Sequence, residues 1–282
     1  MKLSFTTLAC PQWDLDQILA AARKYGYDAF DFRHYRGSTD LPSMPEFTTG
    51  LADTAKKIAA AGLKVSGISS GIHVFSTEPE QREQAVKAAG AYARIAAGLG
   101  APLLRVFGGA VKETPRAEAV RLAGQTLRAM AAAASREGVT IALETHDAWC
   151  RGADVMEMLD AAQAGRAVGV LWDVLNAVTD AREAPEETWR HIQGHLVGTH
   201  WKDTATLPPA KTQYVLPGHG LAPFARFYAL IAGSGYDGYY TFEWEKAWHP
   251  ELAEADVALP VFVQCMRGLE KGQIDSHATE KL

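Results

Sequence analysis

The chain has little cysteine and no cysteine pattern. Of 282 residues only three are cysteine: Cys10, Cys150 and Cys265, odd in number, far apart and without a CxxC pair. That spacing argues against a disulfide framework and against a thiolate zinc site, and it suits a reducing compartment. No apolar run approaches the ~18 residues of a membrane span, and the opening MKLSFTTLAC turns polar too early for a signal segment. A cytoplasmic protein is expected, without a membrane partner. Nor is there an excess of positive charge: the formal net charge is -5 and the sequence pI is near 6.0, so no broad attraction to nucleic acid or anionic lipid is expected. No Pro/Gly/Ser-rich linker divides the chain and no GxGxxG follows the first apolar run. Neither two domains nor a dinucleotide loop is therefore favoured.

What is present is a rhythm of strand, helix and glycine. Lys2 to Leu8 reads as a first strand and Trp13 to Tyr25 as a helix with Asp14 at its cap. Gly26 stops that helix before a strand at Ala29 to Arg33, with Asp31 and Arg33 on one side of the pleat. A helix over 47–61 follows, then Gly62, a strand over 64–69, a helix over 80–99, Gly100 and a strand over 102–107. Thr114 and Pro115 are expected to start a helix reaching Glu137, with the threonine as cap and the proline just inside. A fifth strand runs from Val139, a helix covers 153–164, a strand 168–173, a helix 186–192, a strand 196–201, a helix 221–232, a strand 238–243 and a closing helix 251–269. Eight such units predict a single (β/α)₈ TIM barrel over 1–270, with a short polar C-terminal tail over 271–282. An open α/β sheet is the alternative.

The feature that points to function is how four of these strands end. VTIALETHD, VGVLWD, LVGTHWKD and GYYTFEWE place Glu144, Asp173, His200 and Glu243 at the ends of the last four strands. In a barrel those ends converge on one face. Three carboxylates crowded there would raise one another's pKa, and a divalent cation resolves the conflict. Each residue alone reads more readily as a cap or an ion-pair partner; four in consecutive strands do not. Oxygen-rich ligation with one imidazole suits Mn²⁺ or Mg²⁺, with Zn²⁺ and Co²⁺ as alternatives.

The same segments, LETHD, VLWD, THWKD and TFEWE, resemble the xylose-isomerase-like TIM barrels of the sugar phosphate isomerase/epimerase family, across essentially the whole expected barrel. The resemblance implies that Glu144, Asp173, His200 and Glu243 hold one divalent metal. In the ketose 3-epimerase branch the equivalents of Glu144 and Glu243 are also the catalytic acid/base pair on opposite faces of the substrate. It further implies a carbohydrate substrate and a metal-stabilised enediolate. Barrels of this kind often pair, so a homo-oligomer is compatible. Two positions depart from the epimerase branch: Asn176 stands where histidine is frequent, and Thr206 where those epimerases carry arginine. A metal-dependent dehydratase or lyase on an inosose or keto-sugar is therefore the rival reading. An abasic-site endonuclease and a non-catalytic sugar-binding barrel are lesser ones.

Further substrate contacts are sought around these ends. Lys202 and Asp203 read equally well as substrate contacts or supports and as a surface ion pair. His146 and Glu245 share their strand sides with Glu144 and Glu243. Asn176, Arg33, His73 and His219 lie at or beyond strand ends within reach of a substrate, although a solvated loop explains the last three as well. Trp172, Trp201 and Trp244 alternate with the ligand positions and should pack outward against helices, leaving Trp13, Trp149 and Trp248 as candidates for a substrate wall.

Overall fold

In the computed structural model, which describes residues 1–273, eight strands lie side by side and all pair in parallel. They are β1 (Lys2–Phe5), β2 (Ala29–Phe32), β3 (Lys64–His73), β4 (Leu103–Phe107), β5 (Thr140–Glu144), β6 (Val168–Asp173), β7 (Leu196–Trp201) and β10 (Tyr239–Phe242). The order β1-β10-β7-β6-β5-β4-β3-β2 follows the chain round a ring. Between β1 and β2 the seam is narrow: a single bridge joins Thr6 to Asp31, and the Asp28 amide donates to the Leu3 carbonyl at 2.9 Å. The result is a nearly closed (β/α)₈ barrel, as the strand rhythm predicts. Of the tail expected over 271–282, residues 274–282 lie outside the described residues.

The helices between strands are α1 (Leu15–Tyr25), α2 (Leu51–Ala60), α3 (Pro79–Leu99), α4 (Arg116–Ser135), α5 (Gly152–Ala162), α6 (Asn176–Asp180), α7 (Pro185–Ile192), α8 (Phe224–Gly233) and the closing α9 (Ala255–Glu270). Asp14 caps α1 through a reciprocal pair with Gln17, at 3.0 Å in each direction. Gly26 and Gly100 end α1 and α3 at φ +80° and +69°, a conformation a side chain would disfavour. Thr114 does not cap α4: the helix starts at Arg116, Pro115 holds the cap position, and no side chain accepts from its first turn. Proline has fixed the entry angle without a threonine bond.

The core between strands and helices takes the outward side chains of the strands. Trp172 stacks on Trp189 of α7 with centroids 5.8 Å apart, and Trp201 meets Phe224 of α8 edge-on at 5.2 Å. Trp244 is buried too, its indole N–H donating to the Ala253 carbonyl at 2.8 Å. These three tryptophans face the helix ring, as pleat alternation requires.

Two elements have no counterpart in the expected pattern. Asp203–Thr204 and Tyr214–Val215 form a small antiparallel ribbon, β8 and β9, within the long connection after β7. The short α6 directly follows Asp173. Both lie at the C-terminal rim of the barrel, where they shape the site.

Candidate metal centre

Glu144 and Asp173 close β5 and β6, His200 is the penultimate residue of β7, Glu243 directly follows β10, and all four are buried. Each offers one donor atom, and these atoms lie within 4.8 Å of one another. An ion bound at about 2.0–2.3 Å from each donor spans such a group. Glu144 Oε2, Asp173 Oδ2 and His200 Nδ1 make no well-directed hydrogen bond; each instead lies 2.8 to 3.1 Å from a charged neighbour, Arg105 Nε, Lys202 Nζ or Glu243 Oε1. Their convergence on one point is what a cation site requires. The residues therefore fit a divalent metal.

Their placement is tightly determined. Asp173 Oδ1 accepts from the amides of Leu175 and Asn176 at 3.0 and 3.1 Å, which leaves Oδ2 for the centre. The Asp173 amide in turn donates to Thr145 Oγ1 at 3.0 Å. His200 Nδ1 lies 3.1 Å from Glu243 Oε1 and 3.6 Å from Glu144 Oε1, so the imidazole sits between the two glutamates.

The cluster carries its own cations. Arg105, buried in the middle of β4, brings Nε to 3.1 Å from Glu144 Oε2. Lys202, immediately after β7, places its buried ammonium 2.8 Å from each of Asp173 Oδ2, Glu243 Oε2 and Glu245 Oε1. Glu245 is held from its other side by the Tyr214 hydroxyl of β9 at 3.1 Å. Burial would push both glutamates up, but Arg105 with His200 brings Glu144 below the usual carboxylate range, and Lys202 with His200 brings Glu243 well below it. Burial dominates at Asp173, against the pull of Lys202, and pushes it up to about 7. His200 goes the other way: burial opposes the imidazolium, but Glu243 and Glu144 outweigh it and raise the group to about 10. Arg105 and Lys202 thus already compensate part of the charge of the three carboxylates, so a metal ion would not be their sole counter-charge.

The remaining expected residues divide. Asn176 is buried beside Asp173, and its side-chain amide donates to the Thr145 carbonyl at 3.1 Å, tying β5 to β6. Asp203 does not face the cluster as a substrate contact. Its two oxygens accept from the backbone amides of Thr204, Gly218, Gly220 and Ala222 at 2.8 to 3.0 Å, so it fastens the loop that carries β8 and β9. His219 is exposed on the far side of that loop, in a surface depression it shares with Val261, Gln264 and Cys265 of α9. His146, half-buried, pairs with Asp147 at 2.9 Å. Its ring lies 4.6 Å from that of Phe107, which lies 5.6 Å from that of His73. These three rings form one wall of the mouth. Arg33 stands on the adjacent part, 5.8 Å from the ring of the exposed Trp248. Trp149 is no substrate wall: it is fully buried and donates to the Gly109 carbonyl at 2.8 Å. Gly108 makes that possible, since a Cβ there would stand 2.2 Å from the indole.

Sequence reasoning missed Arg105 and Asp31 as parts of this site. Both were signalled by a charge inside a strand-length apolar run, LLRVF and AFDF. Asp31 lines a cavity of about 280 Å³ inside the barrel together with Ser66, Arg105, His200 and Thr241. It forms the polar floor beneath the cluster.

Comparison with known proteins agrees with this architecture. Residues 19–262 match the model of the family described as xylose isomerase-like TIM barrel. A search of the curated proteins finds no match. Among solved structures, the IOLI protein with a bound zinc atom superposes with a TM-score of 0.81 at 16% identity, covering 98% of this chain and 100% of that one. An L-ribulose 3-epimerase gives 0.78 at 17% identity, with 97% and 96% covered. The probable 3-DHS dehydratase AsbF from Bacillus anthracis gives 0.78 at 13% identity, with 95% and 99% covered. At these identities the structural likeness establishes the fold, while the family match spans most of the sequence. The chain belongs to the xylose isomerase-like TIM barrel family.

Proposed function

We propose that the protein is a divalent-metal-dependent isomerase or epimerase acting on a sugar or polyol ketone, with Glu144 and Glu243 as the acid/base pair. The observation that carries this reading is the buried convergence of Glu144, Asp173, His200 and Glu243 within 4.8 Å at the ends of four strands. A divalent ion held there supplies Lewis-acid stabilisation of the negative charge that develops on substrate oxygens. Mn²⁺ or Mg²⁺ suits the three carboxylates best, and a zinc-binding neighbour of the same fold keeps Zn²⁺ in view.

The protein's own groups then handle the proton. Glu144 and Glu243 stand on strands separated by β6 and β7, with His200 between them, so they approach a bound ketone from different sides. Arg105 and Lys202 favour the carboxylate form of both, as proton removal from the carbon beside a carbonyl requires. Epimerisation uses both glutamates in turn. Isomerisation needs one of them and a shuttle between neighbouring oxygens.

A second reading, a dehydratase or lyase on an inosose or keto-sugar, is favoured by one specific arrangement. The Lys202 ammonium touches Glu243 and Glu245 together, and Tyr214 touches Glu245, giving a chain of proton donors beside the base that can assist a departing hydroxyl. The neighbouring dehydratase fold is consistent with it. The two are separated by incubating metal-loaded protein with candidate ketones in D₂O and following them by NMR. Deuterium incorporation with the carbon skeleton and its oxygens retained is expected, and it should vanish in Glu144→Gln and Glu243→Gln. Loss of water from the substrate would replace the first reading by the second.

A further inference from the structure

Arg33 follows β2 directly, two residues beyond Asp31. Asp31 faces the barrel interior, so on the alternation of an extended chain Arg33 projects over the mouth on the same side. Its backbone is fixed by a hydrogen bond that the Arg33 amide donates to Thr7 Oγ1 at 3.0 Å. The guanidinium lies across β3 at Gly71, where a Cβ would stand 3.7 Å from both Nη1 and Nη2.

What distinguishes this arginine is its lack of an anion. The acidic groups facing it are Glu144 and Glu243, and each already has a closer cation in Arg105 or Lys202. Among the described residues no carboxylate forms a salt bridge with Arg33, and its guanidinium faces the Trp248 ring at 5.8 Å. A largely buried guanidinium without a counter-ion is costly. The cost shows in its acidity: burial, then the neighbouring Arg105, lower the group to about 10. The same wall holds His34 and His73, and Asp147 beside His73 is taken by His146. Trp248, 47% exposed beside the guanidinium, offers an open aromatic face.

We infer that Arg33 is an anion-recognition residue, and that the substrate of this barrel carries a carboxylate or phosphate group which its guanidinium fork pairs with beside Trp248. This rests on the enolisation reading above and narrows its substrate class from sugars in general to anionic sugar derivatives. Arginine's planar fork matches both oxyanions, so the shared chemistry is a group of two or three anionic oxygens. Glu144 and Glu243 act at the carbon; Arg33 sets which molecules are held there.

The test is calorimetric titration of metal-loaded protein with three unreactive five-carbon polyols: xylitol, xylonate and xylitol 5-phosphate. One anionic polyol is expected to bind about ten- to a hundredfold more tightly than xylitol, the range of a charge-assisted bidentate contact. Whether xylonate or the phosphate prevails identifies the group. Arg33→Met should abolish the preference while retaining the metal content of the wild type, which also shows that the variant is folded. Arg33→Lys should keep part of it. Equal affinities for all three in the wild type, or a preference undiminished in Arg33→Met, overturns the inference. The two readings fail separately: an Arg33-dependent preference without proton exchange on any ketone removes the enolisation reading alone, whereas exchange on neutral ketones without anion preference removes this one alone.

Discussion

Lys202 is the residue whose removal should be felt most sharply, and in opposite ways by the metal-free and metal-bound protein. Its ammonium is buried and touches three carboxylates at 2.8 Å. Replacing it with methionine keeps most of the unbranched stem but leaves Asp173, Glu243 and Glu245 facing one another without that charge. Breaking a buried ion pair from one side costs about 3–5 kcal/mol. For a chain of this size each kcal/mol moves the melting temperature by roughly 2–4 °C, so metal-free Lys202→Met should melt roughly 6–20 °C below wild type. A divalent ion then supplies the missing counter-charge, so it should stabilise the variant more than the wild type. If it recovers only 1.4 kcal/mol of the loss, metal affinity rises about tenfold. The assay is differential scanning calorimetry of both proteins across a Mn²⁺ titration. A melting temperature within about 2 °C of wild type without metal, or the same metal-induced rise in both, would refute the charge assignment.

Two other outcomes follow from the same geometry. His200 is held as an imidazolium up to about 10 by Glu243 and Glu144 against the pull of burial, yet a metal ligand must be neutral imidazole. Metal uptake should therefore release a proton, with apparent affinity falling about tenfold per unit of pH below 10 and more steeply below about 7, where Asp173 also takes up a proton; titrations in buffers of differing ionisation enthalpy measure this, and a pH-independent affinity contradicts it. Asp203→Ala removes the acceptor of four backbone amides, costs about 1–3 kcal/mol or more, and should raise hydrogen exchange across residues 203–222; unchanged exchange there would mean that the loop is held by something else.

The barrel was legible in the sequence because its signals are local. A buried parallel strand reads as a continuous apolar run, and a glycine after each of several helices marks where the chain must turn through positive φ. The four candidate site residues were legible for a related reason, since a polar ligand-type side chain at the end of an apolar run stands out and β5, β6, β7 and β10 each have one at or next to their end. Arg105 was hidden because it interrupts its strand instead of ending it, and only the closed barrel shows that its inward position faces Glu144. Lys202 was visible as a residue but its role was not: the three carboxylates it joins come from two other chain segments, the end of β6 and the residues just after β10. Asp203 carries the same kind of lesson. Its place in HWKD left substrate contact, support and surface ion pair open, whereas its oxygens are satisfied by amides 15 to 19 residues further on, a contact that exists only once the loop folds back.

The central claim is that Glu144, Asp173, His200 and Glu243 form one divalent-metal site, and elemental analysis tests it most directly. Wild-type protein, loaded with Mn²⁺, Mg²⁺ or Zn²⁺ and freed of excess metal, should retain about one ion per chain. Glu144→Gln and His200→Ala, treated identically, should lose most of it while keeping the circular dichroism spectrum of the barrel. Metal content unchanged in both variants, or no retained ion in the wild type with any of the three metals, would contradict the account.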